Sequence, residues 1–327
     1  MSRKEHAKKL GFVCLILILV LVILFSGLRI LESTVLFRQQ APAGQTSSKT
    51  IERNGVAYFP RQDITVMLLM GIDETGPVKD SGSYNNTGEA DMVALVIFDE
   101  THEQMDLLFI NRDTMVDMPV LGIGGKSAGT ANRQLALSHT YGSGLEDSCE
   151  NTRKTVSDLL YGLPIHYYVA MNMDAIPILN DAVGGVKVTV VDDFSQVNPN
   201  IPMGETTLMG QAALDYVQVR REIGDQKNIS RMQRQKEYMQ NFLIALKAKT
   251  SASETFVLSV YDQVEDYIVT DMVTSSMTNV WSNYANYTLD EVVTLQGENV
   301  LNGGHYEYIL DEAALDELIL KMFYAPK

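Results

Sequence analysis

Cysteine is nearly absent: among 327 residues only Cys14 and Cys149 occur, too few for a disulfide framework. Cys14 lies inside an apolar run, and if that run spans a membrane the two thiols never meet. There is no CxxC and no HExxH, and the five histidines are scattered, which leaves no ordinary zinc site. Basic charge is in the minority. Against 41 Asp and Glu stand 26 Lys and Arg, for a net charge of −15. A nucleic-acid binder carries an overall basic footprint. This chain has no such footprint and no helix-turn-helix signature, so it is read as having no nucleic-acid partner. No internal repeat appears at any period, which removes solenoid architectures.

What is present begins with Leu10–Leu28, 19 residues without a charge. That length crosses a bilayer as one helix. Arg3, Lys4, Lys8 and Lys9 precede it, and the positive-inside rule puts residues 1–9 in the cytoplasm and the bulk outside. A cleaved signal peptide is the competing reading; its apolar core is usually shorter, and no small-x-small site follows Leu28. The expectation is therefore a single-pass protein of the cell membrane. A tail (1–9), a transmembrane helix (10–28) and a linker (29–57), polar and Ser/Thr/Gln-rich over Gln39–Thr50, lead to a domain at 58–250. A helical extension at 251–327 packs on that domain.

Within the domain, Ile64–Met70, Met92–Phe98 and Met105–Ile110 are continuous apolar runs of strand length, and the Asp99–Gln104 turn makes the last two a hairpin. Ile165–Met171 and Val186–Val191 read as further strands. Ala131–Tyr141, Glu146–Tyr161, Asp174–Val183 (stopped by Gly184-Gly185) and Leu208–Val219 read as helices. After Lys249, Thr270–Tyr284, Leu289–Thr294 and Glu312–Phe323 read as helices and Glu307–Leu310 as a strand or turn. Alternation of this kind gives an α/β sandwich.

In an acidic chain, the four arginines Arg220, Arg221, Arg231 and Arg234 gather within fifteen residues. From Asn228 to Lys249 the pattern is helical, with Met232, Met239, Phe242, Leu243 and Leu246 as a buried stripe. Arg231, Arg234, Gln235 and Tyr238 share one face. A turn at Gly224-Asp225 is placed to fold Arg220 and Arg221 back toward it. Several guanidinium forks aimed at one point suit a phosphate or pyrophosphate; a solvated basic face with ordinary ion pairs is the plainer alternative. Asp91 opens the second of these three strands and Asn111-Arg112-Asp113-Thr114 closes the third, so both carboxylates fall at one sheet edge. There they are either two ligands for Mg²⁺ over a phosphate or a turn residue and a local ion pair.

The order of these pieces resembles the LytR-CpsA-Psr family. The resemblance is carried by RDT (Arg112–Thr114), Tyr141-Gly142, IxxYVxxN (Ile165–Asn172), DAVGGVxV (Asp181–Val188), GxxALxYVxxR (Gly210–Arg220) and RxxRQ (Arg231–Gln235). It covers about Ile64 to Lys249 and implies a mixed β-sheet sandwiched by helices with an apolar lipid groove. It implies an extracytoplasmic phosphotransferase that moves a glycopolymer from a polyprenyl-pyrophosphate carrier to peptidoglycan or another wall acceptor. A non-catalytic polyprenyl-phosphate scaffold or sensor is the alternative. By resemblance, Asp91 and Asp113 bind Mg²⁺ (or Mn²⁺). Arg112, Arg220, Arg221, Arg231, Arg234 and Gln235 surround the pyrophosphate, Arg234 being open to a structural role. Asp91, Arg112 and Asp113 would be catalytic, either Asp taking the acceptor proton. The chain departs from the family pattern at Glu89, Gln134, Ala136, Gln218, Asn228 and Ser230, which removes positive charge or hydrogen-bonding groups.

Overall fold

The computed structural model describes residues 50–220, 223, 228–251, 253 and 256–326. The 10–28 helix, Arg221 and the Gly224-Asp225 turn lie outside them. Among the described residues no helix is long and apolar enough to cross a membrane.

In chain order the strands and helices are β1 (Ile51–Arg53), β2 (Val56–Pro60), β3 (Ile64–Ile72), β4 (Ala90–Asp99), β5 (Gln104–Ile110), β6 (Met115–Leu121), β7 (Ser127–Gln134), α1 (Glu146–Leu159), β8 (Tyr167–Asn172), α2 (Ala175–Ala182), β9 (Val186–Val190), β10 (Gly204–Leu208), α3 (Gln211–Gln218) and α4 (Asn228–Thr250). There follow α5 (Phe256–Val264), β11 (Ile268–Thr270), α6 (Thr274–Tyr284), β12 (Thr288–Thr294), β13 (Gly297–Asn302), β14 (His305–Leu310), α7 (Glu312–Phe323) and β15 (Tyr324–Pro326).

A six-stranded sheet in the order β11-β8-β3-β4-β5-β12 forms the middle layer. It is mixed: β3 pairs antiparallel with β4 and parallel with β8. The apolar runs that made β3 to β5 legible serve two faces, because successive side chains point to opposite sides of a strand. Val66, Leu68, Met70, Val93, Leu95, Ile97 and Leu108 join Cys149 and Val156 of α1 and Ile319 and Phe323 of α7 on one face. Met67, Ala94, Val96, Phe98, Leu107 and Phe109 meet Met232, Met239 and Leu243 of α4 and Met277 and Val280 of α6 on the other. A third apolar cluster joins the β9–β10 hairpin to α3 and to Tyr238, Phe242 and Leu246 of α4. The stripe expected on α4 is thus shared between two cores, and α4 is wedged between the sheet and the hairpin module.

The structure corrects three assignments. Ala131–Tyr141 is not a helix: its first part belongs to β7, paired antiparallel with β6, and Leu135–Ser138 is a single 3-10 turn. Good helix formers there are overridden by the ladder that β6 offers. Leu289–Thr294 belongs to a strand, β12, parallel to β5 with a register shift between Leu289 and Val292. Val292 and Val293 suit that free sheet edge, and Asp106 Oδ1 takes the N–H of Glu291 at 3.0 Å where the ladder is broken. The segment after Thr250 therefore supplies a strand to each edge of the central sheet, β11 and β12, rather than helices alone. Gly185 ends the α2 region as expected. It has φ +88, and a Cβ there would lie 2.8 Å from the Leu208 carbonyl.

Candidate functional site

Sheet pairing sets the site. Val93 lies opposite Ile110, so Asp91, just before it, and Arg112-Asp113, just after Ile110, meet at one edge. The N-terminal turn of α4 arrives at the same place. Arg231, 4% exposed, donates from Nη1 to Asp91 Oδ2 at 2.7 Å. Arg112 contacts Asp91 Oδ1 through Nη1 and Glu89 through Nη2, and its Nε lies 3.4 Å from Asp113 Oδ1. Gln134 Nε2 donates to the Tyr306 carbonyl at 2.6 Å and reaches Asp113 Oδ1 at 3.3 Å. The β13–β14 hairpin is tied in from the other side, Tyr308 N–H donating to the Asp113 carbonyl at 2.8 Å.

The electrostatics follow from burial. Desolvation raises the Asp113 carboxyl above its ordinary value, although Arg112, Arg220 and Arg231 pull the other way. Burial and the like charges of Arg112 and Arg220 bring Arg231 down to about 10, still protonated at neutral pH. Arg220 thus acts on both groups through its field. Among the described residues, the carboxylates Glu89, Asp91 and Asp113 stand with the guanidinium groups of Arg112 and Arg231 and, through its field, that of Arg220. Asp91 Oδ1, Asn111 Nδ2, Arg112 Nε and Thr114 Oγ1 are buried with no hydrogen bond; for Asp91 Oδ1 the contact with Arg112 is an ion pair without hydrogen-bond alignment.

Arg234 does not join this cluster. It donates from Nε to the Tyr216 carbonyl at 2.9 Å, from Nη1 to Asp192 at 2.9 Å and from Nη2 to the Val219 carbonyl, and it lies over the Phe194 ring at 5.5 Å. The i, i+3 spacing put both arginines on one face, but the carbonyls at the end of α3 take this one, as cations at a helix C-terminus do. Gln235 is also turned to α3, donating to the Val217 carbonyl at 3.1 Å, and stands at the boundary between the charges and an apolar cavity.

That cavity, of about 100 Å³, is lined by Gly71, Met92, Phe109, Met171, Tyr238 and Phe242 among others. A smaller one of about 40 Å³ shares Gly71, Met92, Met171, Val217 and Gln235 with it and reaches Asp91 and Arg231. Apolar wall and ion cluster are therefore continuous. Among the described residues no group of three or more His, Cys, Asp or Glu is disposed to hold a metal ion. Asp91 and Asp113 supply the one or two carboxylates by which Mg²⁺ is usually held together with substrate phosphates and water; Asp91 Oδ1, which makes no hydrogen bond, would exchange its ion pair with Arg112 for the metal.

Glu89 and Gln134 were expected only as lost functions. Each instead holds a member of the cluster, Arg112 and Asp113 respectively. Asn111 and its contact with Asn228 had no local signal, because the two are 117 residues apart.

Fold and site define an α/β-sandwich protein with buried arginine–aspartate pairs at the mouth of an apolar pocket. The sequence matches the LytR_cpsA_psr family over residues 33–323, and the chain belongs to that family. It is 25% identical over 325 residues to the polyisoprenyl-teichoic acid–peptidoglycan teichoic acid transferase TagU of Oceanobacillus iheyensis, covering 95% of this chain and 93% of that protein. It is 26% identical over 275 residues to TagU of Bacillus subtilis, covering 84% and 82%. The fold is shared with TagT bound to LIIa-WTA, with a TM-score of 0.63 at 23% identity over 86% of this chain and 96% of that one.

Proposed function

We propose that the protein is a membrane-anchored, extracytoplasmic phosphotransferase. It moves a glycopolymer from a polyprenyl-pyrophosphate carrier to peptidoglycan or another wall acceptor. The observation that carries this reading is the continuity of an apolar cavity with paired Arg231–Asp91 and Arg112. An amphiphile with a greasy tail and an anionic head is what that juxtaposition fits. The named activity of the TagU relatives supports it, and the 10–28 run with its basic flank supports the topology.

In the reaction, the acceptor hydroxyl oxygen bonds to the glycan-bearing phosphorus while that phosphorus parts from the oxygen bridging to the lipid phosphate. The lipid phosphate leaves with the bond's electron pair. The hydroxyl proton goes to Asp113, one of whose oxygens lies 3.4 Å from Arg112 Nε, whereas both oxygens of Asp91 face guanidinium groups. Arg112, Arg220 and Arg231 stabilise the charge growing on the leaving phosphate. Mg²⁺, held by Asp91 and Asp113, would supply further charge neutralisation when bound. Met92, Tyr238 and Phe242 hold the first isoprenoid carbons, each buried methylene contributing about 0.8 kcal/mol.

Full-length protein in detergent, given lipid-pyrophosphate glycan, Mg²⁺ and peptidoglycan, should form a phosphodiester-linked product. Absence of product beside an active relative refutes catalysis. Binding without turnover, unaffected by Asp113→Ala, would establish the scaffold reading, which the pairing of Glu89 with Arg112 favours.

A further inference from the structure

No step above uses the amide groups of Asn111 and Asn228, and what they imply rests on the proposed anionic-lipid site. Asn111 is 2% exposed and Asn228 8%. Asn228 Oδ1 accepts from Arg231 Nε at 3.2 Å and Nη2 at 2.7 Å. Asn228 Nδ2 donates to Asn111 Oδ1 at 2.7 Å, and that oxygen also accepts the Asp113 N–H at 3.0 Å. One chain of bonds therefore runs from Arg231 on α4 to Asp113 beyond β5.

The direction of each bond is forced. A guanidinium and a backbone N–H only donate, so both amides must turn their oxygens to them. Asn228 then has only its nitrogen left for Asn111, and Asn111 Nδ2 is left without a partner. A carboxylate at position 228 would also satisfy Arg231. It would, however, set acceptor against acceptor at Asn111, whose amide would have to turn over and release the Asp113 N–H. It would also cancel the charge of an arginine that already faces Asp91.

We infer that Asn228 is a positioning residue. The neutral Asn111–Asn228 bridge aims Arg231 and holds Asp113, and it leaves the charge of Arg231 to the bound phosphate.

The test uses full-length protein in detergent and farnesyl diphosphate as the probe, with affinity measured by calorimetry across a salt series. Thermal unfolding is followed in parallel, so that only variants with a single cooperative transition are compared. Asn228→Asp should weaken binding about tenfold or more, since a charge-assisted contact is lost, and should flatten the salt dependence, because the net charge that meets the ligand falls by one. Asn228→Ala should weaken binding with the salt dependence retained. Asn228→Asp with wild-type affinity, or with weaker binding and an unchanged salt dependence, overturns the inference while leaving the proposed function standing. Wild-type protein that fails to bind farnesyl diphosphate overturns both.

Discussion

Arg234→Met separates the two arginines that share the face of α4. The side chain is 4% exposed, and its donors go to Asp192 and to the carbonyls of Tyr216 and Val219. Met keeps the apolar contact with Phe194 and Tyr216 but leaves these acceptors unpaired. Breaking a buried ion pair costs about 3–5 kcal/mol. Asp192 keeps 19% of its side chain in solvent, so the lower end, about 3 kcal/mol, applies. For a domain of this size that lowers the unfolding midpoint by roughly 6 °C, at about 2 °C per kcal/mol. The measurement is thermal unfolding of full-length protein in detergent, paired with farnesyl diphosphate binding at a temperature where the variant is folded. Binding should stay within about threefold of wild type, well under the tenfold step that one lost charge-assisted contact gives. A variant that melts like wild type yet has lost binding would refute this account and return Arg234 to the anion site.

Asp113→Asn removes the proposed base and should lower turnover by about 10²-fold or more, as read by product formation, with lipid binding retained. The same variant carries a pH signature in denaturant titrations. The folded-state value of Asp113 is raised, so the stability this group contributes is present below its unfolded value and lost as pH rises through the folded one. Wild type should therefore lose stability relative to Asp113→Asn over that rise. Gly71 lines both cavities, and a Cβ there would lie 3.2 Å from Met92 Cβ. Gly71→Val should displace about two methylene equivalents and weaken farnesyl diphosphate roughly tenfold, with inorganic pyrophosphate unaffected in competition assays. Chelation of Mg²⁺ should abolish turnover, and Mn²⁺ should restore it in the same product assay.

The parts of the fold that were legible in the sequence are those where burial is continuous. β3, β4 and β5 announce themselves because both faces are covered, and α1, α2, α4 and α7 because their ends carry Gly or their apolar residues recur in period. The misread segments are held by partners instead. β7 is mostly exposed and exists because β6 pairs with it; β12 exists because β5 has a free edge. The same distinction separates the site residues. Asp91, Arg112, Asp113 and Arg231 come together as strand order and helical spacing require. Arg234, one turn along α4 from Arg231, donates to the end of α3 instead, because spacing fixes the face of a helix but not which acceptors a long side chain finds there.

The departures acquire a common sense once the charges are placed. Glu89 adds a further carboxylate to Arg112, which also meets Asp91 and Asp113, and Gln134 and Asn228 are neutral. Among the described residues, carboxylates and guanidinium groups at this edge pair with one another, which offsets the cost of burying them. The attraction these groups offer an entering pyrophosphate grows when a cation arrives with it or when Glu89 leaves Arg112. Glu89 keeps 35% of its side chain in solvent, so it is the group that can leave at least cost. Glu89→Gln should therefore raise affinity for farnesyl diphosphate in the absence of Mg²⁺ by several-fold, because one repulsive charge near the surface is removed. With Mg²⁺ present the gain should shrink. Equal affinity of wild type and Glu89→Gln in metal-free buffer would show that Arg112 is already available and that its pairing with Glu89 does not govern binding.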